Sequence, residues 1–175
     1  MEYAIVLYFD SSTEKAFNII INDLFYKEIG GCQPEERLPP HLTVACFTTD
    51  SVETVLDELD KNILRITSGQ IVWASLGAFV PKVLFASPVM SEYLININQD
   101  VHNIIEPYSV AGANGHYTPG RWVPHTTLLN HLDKEMLVSA FEAAAQQFSF
   151  ISGRSSKLIV AECNPLKVIR TWDLQ

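Results

Sequence analysis

Two histidines in this sequence have the same neighbours, and each stands where a predicted strand begins. His41 follows a proline and precedes Thr43 by two residues, in the segment PPHLTVACF. His125 also follows a proline and precedes Thr127 by two residues, in VPHTTLLN. Because side chains alternate along a strand, a spacing of two places each imidazole beside a hydroxyl on one face. Each motif therefore combines a group that exchanges protons near neutral pH with a hydrogen-bond donor.

A pair of imidazoles and a pair of hydroxyls suits the cleavage of a phosphoester. One side of phosphorus needs a base that takes a proton from the nucleophile, and the other needs an acid that protonates the leaving oxygen. Hydroxyl groups donate to the non-bridging oxygens, where charge develops in the transition state. We predict His41 and His125 as catalytic residues and Thr43 and Thr127 as phosphate-binding residues, with no metal ion and no other cofactor.

Two alternative interpretations of the histidines are weaker. A single histidine at a strand end is usually a structural residue, but packing gives no reason for the same polar pair to occur twice. A metal site needs more ligands, and neither motif lies near a pattern of Cys, Asp or Glu. Cys32, Cys46 and Cys163 form neither a CxxC pair nor a Cys/His cluster at zinc spacing. Cys46 lies within an apolar strand pattern, which predicts a core residue rather than a reactive thiol.

Composition and charge favour a globular protein with a small ligand. Hydrophobic residues make up 47% and charged residues 18% of the 175 residues, and the net charge is −8. An acidic protein is poorly suited to bind long nucleic acid, because that affinity comes mostly from Lys and Arg. The segment MEYAIVLYFD does not resemble a signal peptide, and the longest apolar stretch is too short to span a bilayer. We therefore expect a cytoplasmic protein without a membrane partner.

Hydrophobic periodicity predicts four helices among seven strands. The predicted strands cover residues 3–9, 41–47, 68–79, 82–87, 125–131, 154–162 and 166–173. Capping boxes predict that the first two helices begin at Ser11 and at Asp50, and Ser91 and Asp133 can cap the other two. The helices are expected to end at Gly30–Gly31 and near residues 65, 105 and 148. A loop rich in Gly, Pro and aromatic residues spans 107–123.

The two halves of the chain follow the same plan. His125 follows His41 by 84 residues, and the segment KVIR follows KVLF by 85. Matched offsets of this kind indicate a duplicated unit. We predict an α+β, bilobal duplicated fold in one domain of residues 1–175. Two largely antiparallel sheets would face a central groove, with helices on the outside. The pseudo-symmetric lobes would be approximately 1–87 and 88–175, with exchange of strands between them.

The two motifs also resemble those of a known family. His41-Leu42-Thr43-Val44 and His125-Thr126-Thr127-Leu128 are similar to the two H-x-T-hydrophobic motifs of the 2H phosphoesterase superfamily. That superfamily includes the proteins called 2′-5′ RNA ligases and the RNA 2′,3′-cyclic phosphodiesterases. The resemblance covers essentially the whole chain and implies a bilobal fold. It also implies that the two histidines are the acid and base and that the two threonines hold the phosphate.

The chain departs from this family after the second motif. Several relatives have an arginine there, whereas this chain continues with Leu129, Asn130 and His131. The departure leaves the substrate open between an RNA end, a small cyclic nucleotide and a nucleotide-sugar cyclic phosphate.

The loop before the second motif offers further candidate residues. Tyr117, Arg121 and Trp122 are predicted substrate-binding residues, because aromatic rings and a guanidinium beside a phosphate stack bases and neutralise charge. The alternative is an ordinary loop with Trp122 packed beneath it.

We predict a metal-independent phosphoesterase that hydrolyses a cyclic phosphodiester by His/His general acid–base catalysis. The alternative from another functional class is a non-catalytic module that binds a nucleotide or an RNA end in the same pocket. RNA end-joining is a third and weaker interpretation, because an acidic protein without a nucleotide-binding loop is poorly equipped to drive it.

Overall fold

The computed structural model describes residues 1–27, 29, 38–164 and 166–175. Its strands are β1 (Glu2–Phe9), β2 (His41–Thr48), β3 (Gln70–Phe79), β4 (Val83–Pro88), β5 (Val110–Ala111), β6 (Thr126–Leu129), β7 (Ile151–Cys163) and β8 (Leu166–Asp173). Its helices are α1 (Ser11–Tyr26), α2 (Val52–Asn62), α3 (Glu92–Ile105) and α4 (Lys134–Ala145). The predicted helix end at Gly30–Gly31, and Cys32, lie outside the described residues.

Strand β7 joins two antiparallel sheets. Its first residues, 151–154, pair with β3, and residues 155–162 pair with β1. The strand order is β5-β2-β1-β7-β3-β4-β6, and β8 pairs with β7. The predicted α+β class with largely antiparallel sheets is therefore confirmed. Each sheet contains strands from both halves of the sequence, and the division into duplicated lobes at residues 87 and 88 stays a prediction.

Helix α1 is capped one residue earlier than the sequence predicted. The Asp10 carboxylate accepts hydrogen bonds from the backbone N–H groups of Ser12 and Thr13. It also accepts one, at 2.7 Å, from the backbone N–H of Arg154 in β7. Burial alone raises the pKa of Asp10, but the hydroxyls of Ser12 and Thr13 and the backbone N–H groups of Thr13 and Arg154 outweigh burial and hold the pKa well below its ordinary value. The Ser11 prediction was wrong because the carboxylate has enough acceptor sites to serve both the helix and the neighbouring strand.

The other three helices also begin at polar caps. The second begins after Ser51, whose hydroxyl accepts from the N–H of Thr54, so the predicted start at Asp50 was one residue early. Ser91 and Asp133 cap α3 and α4, which confirms both predictions. Among the described residues, no helix is both long enough and apolar enough to cross a membrane.

Strand β2 contains a bulge just after the first histidine motif. Ile5 pairs with Ala45, but the next residue, Val6, pairs with Thr43. Val44 is therefore an extra residue in β2, and both Val44 and Ala45 are fully buried. An extra residue of this kind shifts the alternation of side chains between the two faces of a strand.

The bulge changes which residues share a face with the histidine. His41 and Thr43 are half-buried, whereas Phe47 lies in the hydrophobic core. Cys46 is half-buried and lies outside that core. Simple alternation from His41 would place Ala45 and Phe47 on its face, and it fails here because it assumes an unbroken strand.

Strand β6 carries a second bulge at the equivalent position. Leu84 pairs with Leu129, but its neighbour Phe85 pairs with Thr127, so Leu128 is the extra residue. Leu128 and Leu129 are both buried. Simple alternation from His125 would place Leu129 on its face, and it fails for the same reason. In each motif the extra residue lies one position after the threonine, so the two motifs share backbone geometry as well as sequence.

Candidate active site

Both candidate histidines make the same hydrogen bond. Nδ1 of His41 lies 2.9 Å from the carbonyl oxygen of Pro39, and Nδ1 of His125 lies 2.8 Å from that of Val123. Each acceptor stands two residues before its histidine. Because a carbonyl oxygen only accepts, Nδ1 carries a proton in both rings. Nε2 is therefore the nitrogen that is left to take up or release a proton in each ring.

The two imidazole rings lie close enough for their charges to interact. Burial lowers the pKa of both His41 and His125 below the ordinary 6.5. The carbonyl partners oppose this effect, and the charge of His125 lowers the pKa of His41 further. The state in which both rings are protonated is therefore disfavoured. Two rings that are not readily protonated together are suited to a pair in which one is an acid and the other a base.

The two strands that carry the motifs approach each other, and each motif is flanked by an aromatic residue. Tyr8 of β1 pairs with His41, with 6.5 Å between the ring centroids. Phe85 of β4 pairs with Thr127 of the second motif. Directly opposed residues of antiparallel strands share a face of the sheet. Each motif therefore has an aromatic side chain on its own face of the sheet.

Tyr117 connects the two motifs. Its side chain lies beside that of Thr43, and its ring centroid lies 6.2 Å from that of His125. Burial, assisted by nearby acidic groups such as Cys46, raises the pKa of Tyr117 to about 12. The phenol thus keeps its proton at neutral pH and remains a hydrogen-bond donor.

A buried indole supports each motif from beneath. Trp122 is only 8% exposed, and its Nε1–H donates to the backbone oxygen of Thr43 at 3.0 Å. Trp73 is fully buried and donates to Oγ1 of Thr126 at 3.1 Å. The sequence offered two roles for Trp122, which were substrate binding and packing beneath the loop, and the burial of the ring agrees with packing. In this position the ring has little surface for stacking against a base.

Arg121 lies at the exposed side of the same loop. Its Nη1 atom would be 3.3 Å from a Cβ placed on Gly115, so the guanidinium lies over the backbone of that glycine. Among the described residues, none forms an ion pair with it. The structure therefore holds Tyr117 between the two motifs, whereas Arg121 lies on the exposed surface of its loop.

Asn98 is a supporting residue that the sequence interpretation missed. It is buried on α3, and its Nδ2 donates to the backbone oxygens of Val44 and Tyr117, both at 2.9 Å. One amide thus fixes both the bulge of β2 and the loop that carries Tyr117. The sequence did contain a signal for this role. Asn98 is a polar residue between Ile97 and Val101, on the apolar face of the predicted helix.

Two phenylalanines beside His125 were also missed. The ring centroids of Phe79 and Phe85 lie 4.8 Å and 5.3 Å from that of the imidazole. Their proximity depends on the pairing of β3 with β4 and of β4 with β6, which alternation within one strand does not reveal.

Cys46 does not offer a reactive thiol beside the first motif. Burial, followed by the nearby Cys163 and Glu2, raises the pKa of Cys46 to about 12, which keeps the thiol protonated and unreactive. Across residues 1–27, 29, 38–164 and 166–175, no three His, Cys, Asp or Glu side chains lie together as a ligand set.

Comparisons with known proteins connect this geometry to a family. The family model described as the 2′-5′ RNA ligase superfamily matches residues 24–162. No curated protein sequence matches the chain.

Several solved structures match nearly the whole chain. The structure of E. coli LigT complexed with 3′-AMP is 13% identical, covers 99% of this chain and 98% of its own, and has a TM-score of 0.66. TT0787 of Thermus thermophilus is 15% identical over 99% of this chain and 98% of its own, with a TM-score of 0.64. Usb1 of Kluyveromyces marxianus is 13% identical over 99% of this chain and 98% of its own, with a TM-score of 0.52. At these identities the likeness establishes the fold.

Proposed function

The chain belongs to the 2′-5′ RNA ligase superfamily, as the resemblance to 2H phosphoesterases predicted, and we propose that it hydrolyses a cyclic phosphodiester with His41 and His125. The observation that carries the proposal is the equivalence of the two rings. Each donates Nδ1–H to the carbonyl oxygen two residues earlier, and the two charges interact. Membership of the superfamily supports phosphoesterase activity in general terms, and the chemistry of the site supports the cyclic substrate.

The proposed reaction needs one imidazole on each side of phosphorus. Nε2 of the neutral ring takes a proton from water, and the water oxygen forms the new bond to phosphorus. The bond from phosphorus to one ring oxygen of the cyclic phosphate breaks. That oxygen receives the proton from Nε2 of the second, protonated ring. The product is a phosphate monoester, and the two rings have exchanged protonation states. Each acid or base is typically worth about 10²–10⁴ in rate.

The two threonines are proposed to bind the non-bridging oxygens. Thr43 and Thr127 each stand two residues after a histidine, and both are half-buried. Hydroxyl donors aimed at developing negative charge stabilise the transition state more than the ground state. Tyr117, whose ring lies beside His125, is proposed to contact the substrate as well. The exposed Arg121 would attract the anionic substrate to the edge of the cleft.

We propose a small substrate: a 2′,3′-cyclic phosphate on a nucleotide, a nucleotide-sugar or a short RNA end. The net charge of −8 opposes a long polyanion. Two imidazoles and one guanidinium are sufficient to bind a single phosphate group.

Hydrolysis of 2′,3′-cyclic AMP by EDTA-treated protein is expected to show a bell-shaped dependence of kcat/KM on pH. The acidic limb reports protonation of the base, and the alkaline limb reports loss of the proton from the acid. Because burial lowers the pKa of both rings, each limb shifts to lower pH, and the optimum should lie on the acidic side of 6.5. Initial rates between pH 4.5 and 8.5, with the product identified by ³¹P NMR, measure this profile.

The same experiment separates the alternatives. Binding of the cyclic nucleotide without turnover, independent of pH between 5 and 8, would support the non-catalytic module instead. Activity that EDTA removes and a divalent cation restores would contradict the metal-independent mechanism.

A further inference from the structure

We infer that Phe79 forms a stacking surface for the nucleobase of the substrate, an assignment that rests on the proposed function. Phe79 is the last residue of β3, and 40% of its surface is exposed. Its ring centroid lies 4.8 Å from that of His125, and the two rings are nearly perpendicular, at 88°. An exposed aromatic ring is thus adjacent to a proposed catalytic imidazole. The proposed reaction gives this ring no role, because both proton transfers involve only the two histidines.

Phe79 is held in place from behind by a buried ring. Phe85 is only 5% exposed, and its centroid lies 4.6 Å from that of Phe79. The space for Phe85 exists because its partner across the strands is a glycine. A Cβ on Gly77 would lie 2.4 Å from Cε2 of Phe85, which is closer than real contacts allow. The ring that meets solvent is therefore already ordered, and a ligand would lose little entropy in binding to it.

The strand pairing places this aromatic pair on the same face of the sheet as the second motif. Gly77 pairs with Phe85, and Phe85 pairs with Thr127 of the second motif. Since opposed residues share a face, and residues two apart in a strand do so as well, Phe79 lies on the face of Thr127. The base of a nucleoside 2′,3′-cyclic phosphate is one ribose away from phosphorus. A phosphate at His125 would bring that base to the neighbouring ring.

The chemistry of this surface predicts what it recognises. A phenyl ring offers a π-face and no hydrogen-bond partner, so it detects the presence of a base more than its identity. Purines, with the larger ring system, should stack better than pyrimidines. Trp122, the earlier candidate for stacking, is buried beneath β2 and does not offer such a face. The assignment narrows the substrate class to a cyclic phosphate that carries a base next to the reacting ribose.

The test compares two substrates that differ only in the base. For 2′,3′-cyclic AMP, F79A is expected to lower kcat/KM by about 5- to 100-fold, the range for loss of one stacked base. For methyl β-D-ribofuranoside 2,3-cyclic phosphate, which lacks the base, kcat/KM should stay within about twofold of the wild-type value. F79W should retain activity on the nucleotide, whereas F79L, which keeps apolar volume without a π-face, should resemble F79A.

Phe150 provides a matched control. It is 77% exposed and immediately precedes Ile151, which pairs with Trp73 near the other end of β3. F150A should therefore leave both substrates unaffected. Equal losses on the two substrates in F79A would show that the ring only supports His125, and unchanged rates on both would show that it does not meet the base. Either result overturns the inference.

Failure of the inference is distinguishable from failure of the proposed function. If the wild-type protein hydrolysed neither substrate, the proposed function would fail. The stacking surface would then be tested by calorimetric binding of 3′-AMP and of the methyl riboside 3-phosphate. Selective weakening of 3′-AMP binding in F79A would sustain the inference, and equal affinities of wild type and F79A would overturn it.

Discussion

Replacement of either His41 or His125 by asparagine is expected to lower kcat/KM for 2′,3′-cyclic AMP by about 10²–10⁴-fold, the usual contribution of one general acid or base. Asparagine retains an N–H donor near the position of Nδ1, so the hydrogen bond to Pro39 or Val123 can persist. It lacks any atom equivalent to Nε2. The loss therefore isolates proton transfer from the structural role of the ring. Steady-state kinetics with each purified variant measure it.

His131 gives the matched control for these substitutions. It is exposed and has a φ of 58°, a conformation that asparagine tolerates well. H131N should therefore keep wild-type activity and wild-type stability. Wild-type turnover in H41N or in H125N, with an unchanged circular dichroism spectrum, would remove that histidine from the mechanism.

Loss of the hydroxyl from Thr43 or Thr127 is expected to have the second largest effect. T43V and T127V should each lower kcat by about 10²–10³-fold, because a donor that meets charge developing in the transition state is removed. KM should change much less, since such a donor contributes mainly after the substrate is bound. Saturation kinetics on 2′,3′-cyclic AMP separate the two parameters.

Serine at the same positions distinguishes the hydroxyl from the methyl group. T43S and T127S should recover most of the activity lost in the valine variants. The half-buried Thr48, at the far end of β2, supplies a control, and T48V should behave as wild type. If T43S were as inactive as T43V, packing of the methyl group would account for the loss, and the proposed role of the hydroxyl would be wrong.

The fold class and the strands of the two motifs were predictable because they depend on local pattern. A spacing of two in a strand and apolar periodicity in a helix are properties of short segments. Ser91 and Asp133 were found as caps for the same reason. Asp10 was missed because its carboxylate also serves the N–H of Arg154, which is distant in sequence.

The bulges and the aromatic neighbours were not predictable from one strand at a time. Val44 is recognised as an extra residue only from the pairing of β2 with β1, and Leu128 only from the pairing of β6 with β4. Phe79 and Tyr117 reach His125 through strands and a loop whose positions depend on the whole sheet. Register is a long-range property, and a shift by one residue moves side chains to the other face.

The most direct test of the account is a crystal structure of the protein with adenosine vanadate, which imitates a pentacoordinate phosphorus. The account predicts one vanadium atom between the two rings. Nε2 of His41 and Nε2 of His125 should each lie about 2.6–3.2 Å from an oxygen on opposite sides of it. Vanadate bound outside this cleft, or in contact with only one imidazole through Nε2, would contradict the proposal that both rings act on one phosphorus.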